Sequence, residues 1–241
     1  MPQYFINQTL SPGETAGITG DDFHHLSKVR RAKPGDPVQL RDAAGILYDG
    51  YVASVREDEL LVDITSVSRS GSSMPHVTLA MALLKNRNFD LVVEKCVEVG
   101  VSRIVPLVTE RTVPDIGGKE EKKTERWRAI AEAASKQSLR SFVPEVEAPV
   151  SFKEFVSRTH EGLLVCAHPS SEGMTLRSAA SSFEGSHAVI LVGPEGGFSP
   201  AEISLAGSNG FLNVNIGETQ MRAETAGIVL PALVIYELMT K

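Results

Sequence analysis

The chain has 241 residues, of which 42% are hydrophobic and 22% charged, and its formal net charge is −6. These values are typical of a globular protein with one large domain or two modest ones. No uncharged apolar run reaches about 18 residues and the amino terminus lacks a signal-peptide pattern, so neither a membrane span nor a leader is expected. Cys96 and Cys166 lie in apolar segments far apart, which indicates reduced core thiols in a cytoplasmic protein.

Residues 1–70 are predicted to form a small β-domain with one helix. Turn residues separate five short, partly alternating apolar segments, which are the strand candidates. These segments begin at Tyr4, Ala16, Pro37, Ile46 and Leu60. Short strands at regular spacing favour a small barrel.

A basic helix is predicted over residues 22–31, with Asp21 or Asp22 as its cap. It and the turn that follows concentrate basic side chains, namely His24, His25, Lys28, Arg30, Arg31 and Lys33. Such a group is either a solvated helix face or a surface that contacts phosphates. The second interpretation is favoured because the rest of the chain is acidic, although the net negative charge counts against a nucleic-acid partner.

Residues 68–75 are polar and small, and we place a domain boundary there. From 74 to 241 the pattern changes to β-α-β-α-α-β-α-β-α-β-α, which predicts an α/β domain with a mostly parallel sheet and helices on both faces. In the helix predicted over 120–138, Trp127, Ala134 and Leu139 fall on one apolar side.

The most informative stretch is a buried strand at 188–192 that runs into Gly193-Pro194-Glu195-Gly196-Gly197. Ser199 and Glu202 then form a capping box at the start of a helix. A second strand at 211–217 also leads through a polar loop into a helix. Two loops at the carboxyl ends of buried strands are where an open α/β sheet binds its ligand. Taken alone, however, the glycine loop is more simply a tight structural turn.

Several common sites are excluded. The glycine loop is not a dinucleotide fingerprint, and neither a phosphate-binding P-loop nor a nucleophile elbow is present. The histidines and cysteines lack metal-ligand spacing, so no metal is expected.

Residues 191–199, Ile216-Gly217 and 221–226 resemble the paired signature of the SPOUT methyltransferases. The similarity is greatest to the RsmE-type enzymes, which methylate N3 of a uridine in 16S ribosomal RNA with S-adenosylmethionine. Further similar elements lie at 25–36, 94–101, 104–111, 126–140 and 167–169.

The chain departs from the family pattern at several positions. Gln3 and Thr219 stand where the family has arginine, and Arg30 where it has an apolar residue. The family's "KGDR"-like turn reads Lys85-Asn86-Arg87-Asn88, and its "QSGR" reads Gln137-Ser138-Leu139-Arg140. We infer a divergent member of the family.

The resemblance implies a trefoil-knotted α/β domain at 74–241 and a PUA-like, RNA-binding barrel at 1–70. It also implies that S-adenosylmethionine is wrapped by the loops at 168–169, 192–197 and 216–222. The expected cofactor-binding residues are His168, Val192, Gly193, Pro194, Glu195, Gly196, Ile216, Gly217, Met221 and Thr225. The expected RNA-binding residues are His25, Lys28, Arg30, Arg31, Lys33, Lys85 and Arg140.

Candidate catalytic residues follow from the chemistry that the resemblance implies. Uridine N3 carries a proton at neutral pH, so its methylation needs a base or a group that stabilises the anion. Glu195, Arg222 and Glu224 are the capable groups near the loops. Alternatively, Glu224 caps the helix that it opens and Arg222 pairs with a carboxylate.

Two other functions remain open, a SPOUT ribose 2′-O-methyltransferase and an RNA-binding protein that has lost catalysis. The expected partner is 16S ribosomal RNA or the small ribosomal subunit. A homodimer is also expected, because residues 226–236 contain no charged residue. A helix that is apolar all round must be buried on every side, and one sheet face covers only one side of it.

Overall fold

A computed structural model describes residues 3–6, 8–42, 45–69, 74–85, 87–112, 117–168 and 173–240. The chain divides into two compact units. Met1–Ser72 and Ser135–Val143 form the N-terminal unit, and Ser73–Ala134 and Pro144–Lys241 form the C-terminal unit. The predicted domain boundary near residues 70–74 places 135–143 in the second domain, whereas in the structure this segment belongs to the N-terminal unit.

The N-terminal unit contains a curled five-stranded sheet with strand order β1-β3-β4-β5-β2. Its strands are β1 (Gln3–Ile6), β2 (Thr15–Ile18), β3 (Pro37–Asp42), β4 (Ile46–Val55) and β5 (Leu60–Arg69). Strands β1 and β3 are parallel, and the other pairs are antiparallel. Irregular register between β4 and β5 bends this sheet around its core. At one irregularity, a Cβ on Gly50 would lie 2.4 Å from the carbonyl oxygen of Asp63, so the close approach requires glycine.

The predicted basic helix has two parts, α1 (Gly20–His24) and a π-helical segment, His25–Val29. The predicted cap is wrong, because Thr19 occupies the N-cap position and makes no side-chain capping bond. Only Leu26 of this helix is buried in the core, and the cationic side chains are exposed.

The C-terminal unit is an α/β structure in which the strand pairs of the described residues are parallel, in agreement with the predicted mostly parallel sheet. The strand order is β11-β13-β10-β12-β6-β7-β8, and β9 also pairs with β7. The elements in chain order are β6 (His76–Ala82), α2 (Asn88–Val99), β7 (Arg103–Val108), α3 (Glu120–Gln137), β8 (Glu145–Val146), β9 (Val150–Ser151), α4 (Phe152–Val156), β10 (Leu163–Ala167), β11 (Met174–Thr175), α5 (Leu176–Ser181), β12 (His187–Val192), α6 (Pro200–Ser208), β13 (Leu212–Asn215) and α7 (Ala223–Met239). The final residues of α3, from Ser135 onward, belong to the N-terminal unit.

Helix α7 packs closely on β6 and α2. A Cβ on Gly227 would lie 2.5 Å from Met81 Sδ, so a larger residue would push the helix away from the sheet. The Cys96 thiol donates to the Gly227 carbonyl at 3.2 Å. Both cysteines are buried free thiols, as predicted, and burial raises the pKa of Cys166 to about 12. Across the described segments, none of the helices combines the length and apolar character needed to cross a bilayer.

Helix α3 ends earlier than predicted, and this changes the position of Leu139. The helix stops at Gln137, and Leu139 has a left-handed backbone with φ of 57°. The Arg140 N–H donates back to the Ser135 carbonyl at 3.0 Å, which closes the end of the helix. The Leu139 side chain is 50% exposed, so its predicted place on the apolar side of α3 is wrong.

Candidate active site

A cavity of about 890 Å³ opens at the carboxyl ends of β10, β12 and β13. This volume lies within the usual range of small-molecule sites, about 300–1,000 Å³. The lining residues are Asn88, Ala167, His168, Val192, Gly193, Pro194, Glu195, Gly197, Phe198, Val214, Asn215, Ile216, Gly217, Glu218, Thr219, Gln220, Met221, Arg222, Ala223, Glu224 and Ala226. The cavity therefore lies where the two predicted loops follow their strands.

Most of the predicted site residues meet in this cavity. All of the expected cofactor-binding residues line it except Gly196 and Thr225, and so do the three catalytic candidates. Gly196 lies on the exposed side of the glycine loop, and Thr225 points outward from the first turn of α7. Asn86 and Pro169, which belong to the family-like elements, lie outside the described residues.

The glycine loop is held from outside by Arg111, which follows β7. Its guanidinium Nη1 donates to the Gly196 carbonyl at 2.8 Å and to the Phe198 carbonyl at 3.4 Å. Within the loop, the Gly197 N–H donates to the Pro194 carbonyl at 2.8 Å. The glycine loop is thus hydrogen-bonded to the segment that follows β7, which helps to fix its conformation beside the cavity.

Glu195 joins the glycine loop to the end of β6, because its carboxylate accepts a hydrogen bond from the Lys85 N–H at 3.1 Å. The predicted capping box is confirmed: Glu202 accepts from the Ser199 N–H at 2.8 Å, and the Ser199 hydroxyl accepts from the Glu202 N–H at 3.3 Å. Glu202 is only 9% exposed and also accepts from the Glu110 N–H at 2.9 Å. The same carboxylate therefore caps α6 and anchors the segment after β7.

The second loop leads from β13 into α7. The Asn215 side chain accepts from the Gly217 N–H at 3.1 Å, which fixes the start of the loop. Arg222 occupies the N-cap position of α7 with an exposed side chain, and no side-chain capping bond is present there. Glu224 lies half-buried in the first turn of α7. Within the described segments neither Arg222 nor Glu224 has an ion-pair partner, so the alternative structural roles expected for them are not observed.

Sequence reasoning missed several lining residues. Asn88, the first residue of α2, ends the family-like turn at 85–88, but its place in the cavity could be read only from the fold. Phe198 belongs to the glycine stretch, but its burial against Phe152 could be read only from the fold.

The predicted RNA-binding residues fall in both units. His25, Lys28, Arg30, Arg31 and Lys33 are exposed on or just after the basic helix of the N-terminal unit. Lys85 is exposed in the C-terminal unit, beside the glycine loop.

Arg140 differs from these exposed cations. Its guanidinium lies 4.6 Å from the centre of the Phe142 ring, and burial lowers the pKa of Arg140 to about 10. It therefore has a packing role in addition to any contact with RNA. No group of three or more His, Cys, Asp or Glu side chains suited to a metal occurs in the described part of the chain.

Two family models match the chain. A model described as an RNA methyltransferase domain covers residues 72–235. A model described as an RNA methyltransferase PUA domain covers residues 18–65.

Curated relatives match over nearly the whole chain. Ribosomal RNA small subunit methyltransferase E from Synechocystis is 32% identical over 231 residues, which covers 95% of this chain and 73% of the relative. The Bacillus subtilis protein of the same name is 28% identical over 248 residues, covering 98% and 97% of the two chains.

Solved structures with similar folds carry a cofactor. Ribosomal RNA small subunit methyltransferase E from Neisseria gonorrhoeae bound to S-adenosylmethionine has a TM-score of 0.86 and 25% identity, covering 97% of this chain and 96% of that chain. A Legionella pneumophila methyltransferase in complex with S-adenosylmethionine has a TM-score of 0.85 and 29% identity, covering 96% of each chain. The α/β fold class, the predicted family and that family's cofactor are confirmed by these findings.

Proposed function

The chain belongs to the ribosomal RNA small subunit methyltransferase E family, and we propose that it methylates N3 of a specific uridine in 16S ribosomal RNA, in the cytoplasm, with S-adenosylmethionine. The observation that carries the proposal is the cavity at the ends of β10, β12 and β13. It brings two carboxylates and an unpaired arginine to one pocket that two glycine-containing loops enclose.

The residues of the cavity fit the cofactor. Val192, Ile216 and Met221 supply apolar surface for a nucleoside, and Gly193 and Gly217 allow close approach to backbone N–H and C=O groups. S-adenosylmethionine, when bound, supplies a methyl group on positively charged sulfur. The chain's own task is then to hold the uridine in line and to manage the N3 proton.

Three side chains divide this task. Glu224 lies half-buried in the first turn of α7 and accepts the N3 proton. The neighbouring Arg222 stabilises the negative charge that develops on the uracil ring as the proton leaves. The proton therefore passes to the Glu224 carboxylate while N3 gains the methyl group. Glu195 already accepts the Lys85 N–H, so it positions the glycine loop and serves as the alternative base.

The rest of the molecule supports the same reaction. We assign RNA binding to the N-terminal unit through its basic helix, with 16S ribosomal RNA or the small subunit as the partner. We also propose a trefoil knot in the C-terminal unit. Support comes from the strand order, in which β13 lies beyond β10 while α7 returns to pack on β6 and α2.

The function is tested with the purified protein, labelled S-adenosylmethionine, and small subunits from a strain that lacks the activity. Mass spectrometry of digested rRNA is expected to give 3-methyluridine. Arg222→Ala should lower kcat/KM about 100-fold, roughly 2.7 kcal/mol of transition-state stabilisation, with cofactor affinity within about twofold of wild type. Arg177→Ala, which changes an exposed arginine of α5 outside the cavity lining, is the matched control and should retain activity.

The products separate this proposal from its alternatives. A 2′-O-methylated ribose would identify a ribose methyltransferase. RNA binding without methyl transfer, together with no calorimetric signal for S-adenosylmethionine, would identify an RNA-binding protein that has lost catalysis.

A further inference from the structure

Two residues of the N-terminal unit have an unusual backbone. Among the described residues, Arg31 and Leu139 are the non-glycine residues with positive φ, at 54° and 57°. Both lie just beyond the end of a helix and both side chains are exposed. Glycine adopts this conformation without the steric penalty that a Cβ imposes.

Leu139 lies where a helix end favours glycine. It precedes Arg140, whose N–H closes α3 by donating to the Ser135 carbonyl at 3.0 Å. Because the Leu139 side chain is 50% exposed, burial in the chain does not offset the unfavourable backbone. The folded chain therefore exposes an apolar side chain to solvent and also bears the steric cost of a left-handed backbone at Leu139.

The helix end that Leu139 follows is joined to the basic helix. One turn earlier, Lys136 donates to both carboxylate oxygens of Asp22, at 2.9 and 3.0 Å, which joins the end of α3 to α1. Both residues lie close to the Tyr4 hydroxyl, which is 3.1 Å from His25 Nδ1. Burial raises the pKa of Tyr4, and the nearby Arg30 guanidinium opposes that shift. Leu139 is thus linked through this cluster to the basic helix.

An exposed apolar side chain in the unit that carries the basic helix suits single-stranded RNA. The face of an unpaired base packs on apolar surface, while the flanking phosphates pair with Arg and Lys. A purely apolar protein partner would cover the exposed cations of the basic helix without neutralising them, and such a partner is disfavoured for that reason.

We propose that Leu139 contacts the face of an unpaired base of the ribosomal RNA substrate, while the basic helix holds neighbouring phosphates. This proposal rests on the proposed function, because it takes small-subunit RNA as the partner. It adds a base-contacting residue outside the cofactor cavity.

The test uses full-length protein and in vitro transcribed 16S rRNA, with binding followed by filter retention and stability by thermal melting. Leu139→Gly should raise the melting temperature by about 2–4 °C, because the backbone penalty is removed. It should also weaken RNA binding at least fivefold. Cofactor affinity and the salt dependence of RNA binding should not change, because no charge is removed.

Additional variants keep the test decisive. Leu139→Asn also tolerates the left-handed backbone but lacks apolar surface, and it should weaken RNA binding as the glycine variant does. Leu139→Phe should bind within about twofold of wild type. The matched control is Val55→Ala, which removes an exposed apolar side chain of β4 and should leave binding unchanged.

Wild-type affinity in Leu139→Gly or Leu139→Asn would overturn the proposal. So would a change of molar mass in light scattering, which would show that Leu139 contacts a second copy of the chain. Failure of the proposed function would give a different result from failure of this inference. Wild-type protein would then yield no 3-methyluridine, even if the Leu139 variants still lost RNA binding.

Discussion

Individual residues of the second loop determine how closely the cofactor can approach the wall of the cavity. Gly217 has φ of 158° and donates its N–H to the Asn215 side chain, and a Cβ placed on it would meet no atom within 4 Å. A side chain there would clash with no atom of the chain, although the positive φ makes it strained, whereas a molecule in the cavity would contact it.

We predict that Gly217→Val weakens S-adenosylmethionine binding at least tenfold, about 1.4 kcal/mol, as measured by isothermal titration calorimetry. Gly118→Val is the matched control, since Gly118 also has a positive φ and a Cβ on it also meets no atom within 4 Å, but it lies outside the cavity lining. Unchanged affinity in a folded Gly217→Val protein would remove this loop from the cofactor site.

At the scale of elements, the conformation of the glycine loop depends on the segment after β7 as well as on the loop's own sequence. Arg111 follows β7 and donates to the carbonyls of Gly196 and Phe198. Arg103 begins the same strand and pairs with Glu145 and Glu147. Substitutions of the two arginines therefore compare the end of β7 that leads to Arg111 with the opposite end of the same strand.

Arg111→Ala is expected to weaken cofactor binding about five- to tenfold, because the loop loses its external hydrogen bonds and must be ordered when the ligand binds. Arg111→Lys should restore part of the affinity through a single bond. Arg103→Ala should lower the melting temperature while leaving cofactor affinity unchanged. Equal loss of affinity in the Arg103 and Arg111 variants would show a general loss of stability instead of loop positioning.

At the scale of the whole molecule, α7 leaves part of its apolar surface uncovered. Val234 is fully buried within the chain, so a charge at this position would not test a dimer interface. Such a charge would unfold the unit. The exposed face contains Leu233, Tyr236 and Met239, which are 37%, 60% and 51% exposed. This face is the surface that we propose for a homodimer.

Light scattering at micromolar concentration should give twice the monomer mass for wild-type protein. Tyr236→Glu should give a monomer with a melting temperature close to wild type, because the side chain is exposed before association. The matched control, Tyr51→Glu, changes another exposed tyrosine, in the N-terminal unit, and should remain dimeric. A monomeric wild-type protein would contradict the proposal.

Local signals in the sequence determined much of the C-terminal unit. The apolar run at 188–192, the glycines after it and the Ser199–Glu202 capping box specify strand, loop and helix from neighbouring residues alone. The parallel sheet followed from the alternation of strands and helices, and the family resemblance identified most of the residues that line the cavity. The two-residue strands β8, β9 and β11 were too short to leave a periodic signal.

Tertiary structure alone decided which distant residues support the site. Arg111 and Asn88 reach the glycine loop and the cavity from other parts of the chain, because the parallel sheet brings the ends of separated strands together. Leu139 continued the apolar pattern of α3, yet the turn closed by Arg140 places it in solvent. A helical pattern reports which side of a helix is apolar, but packing and end geometry decide where the helix stops and which residues remain exposed.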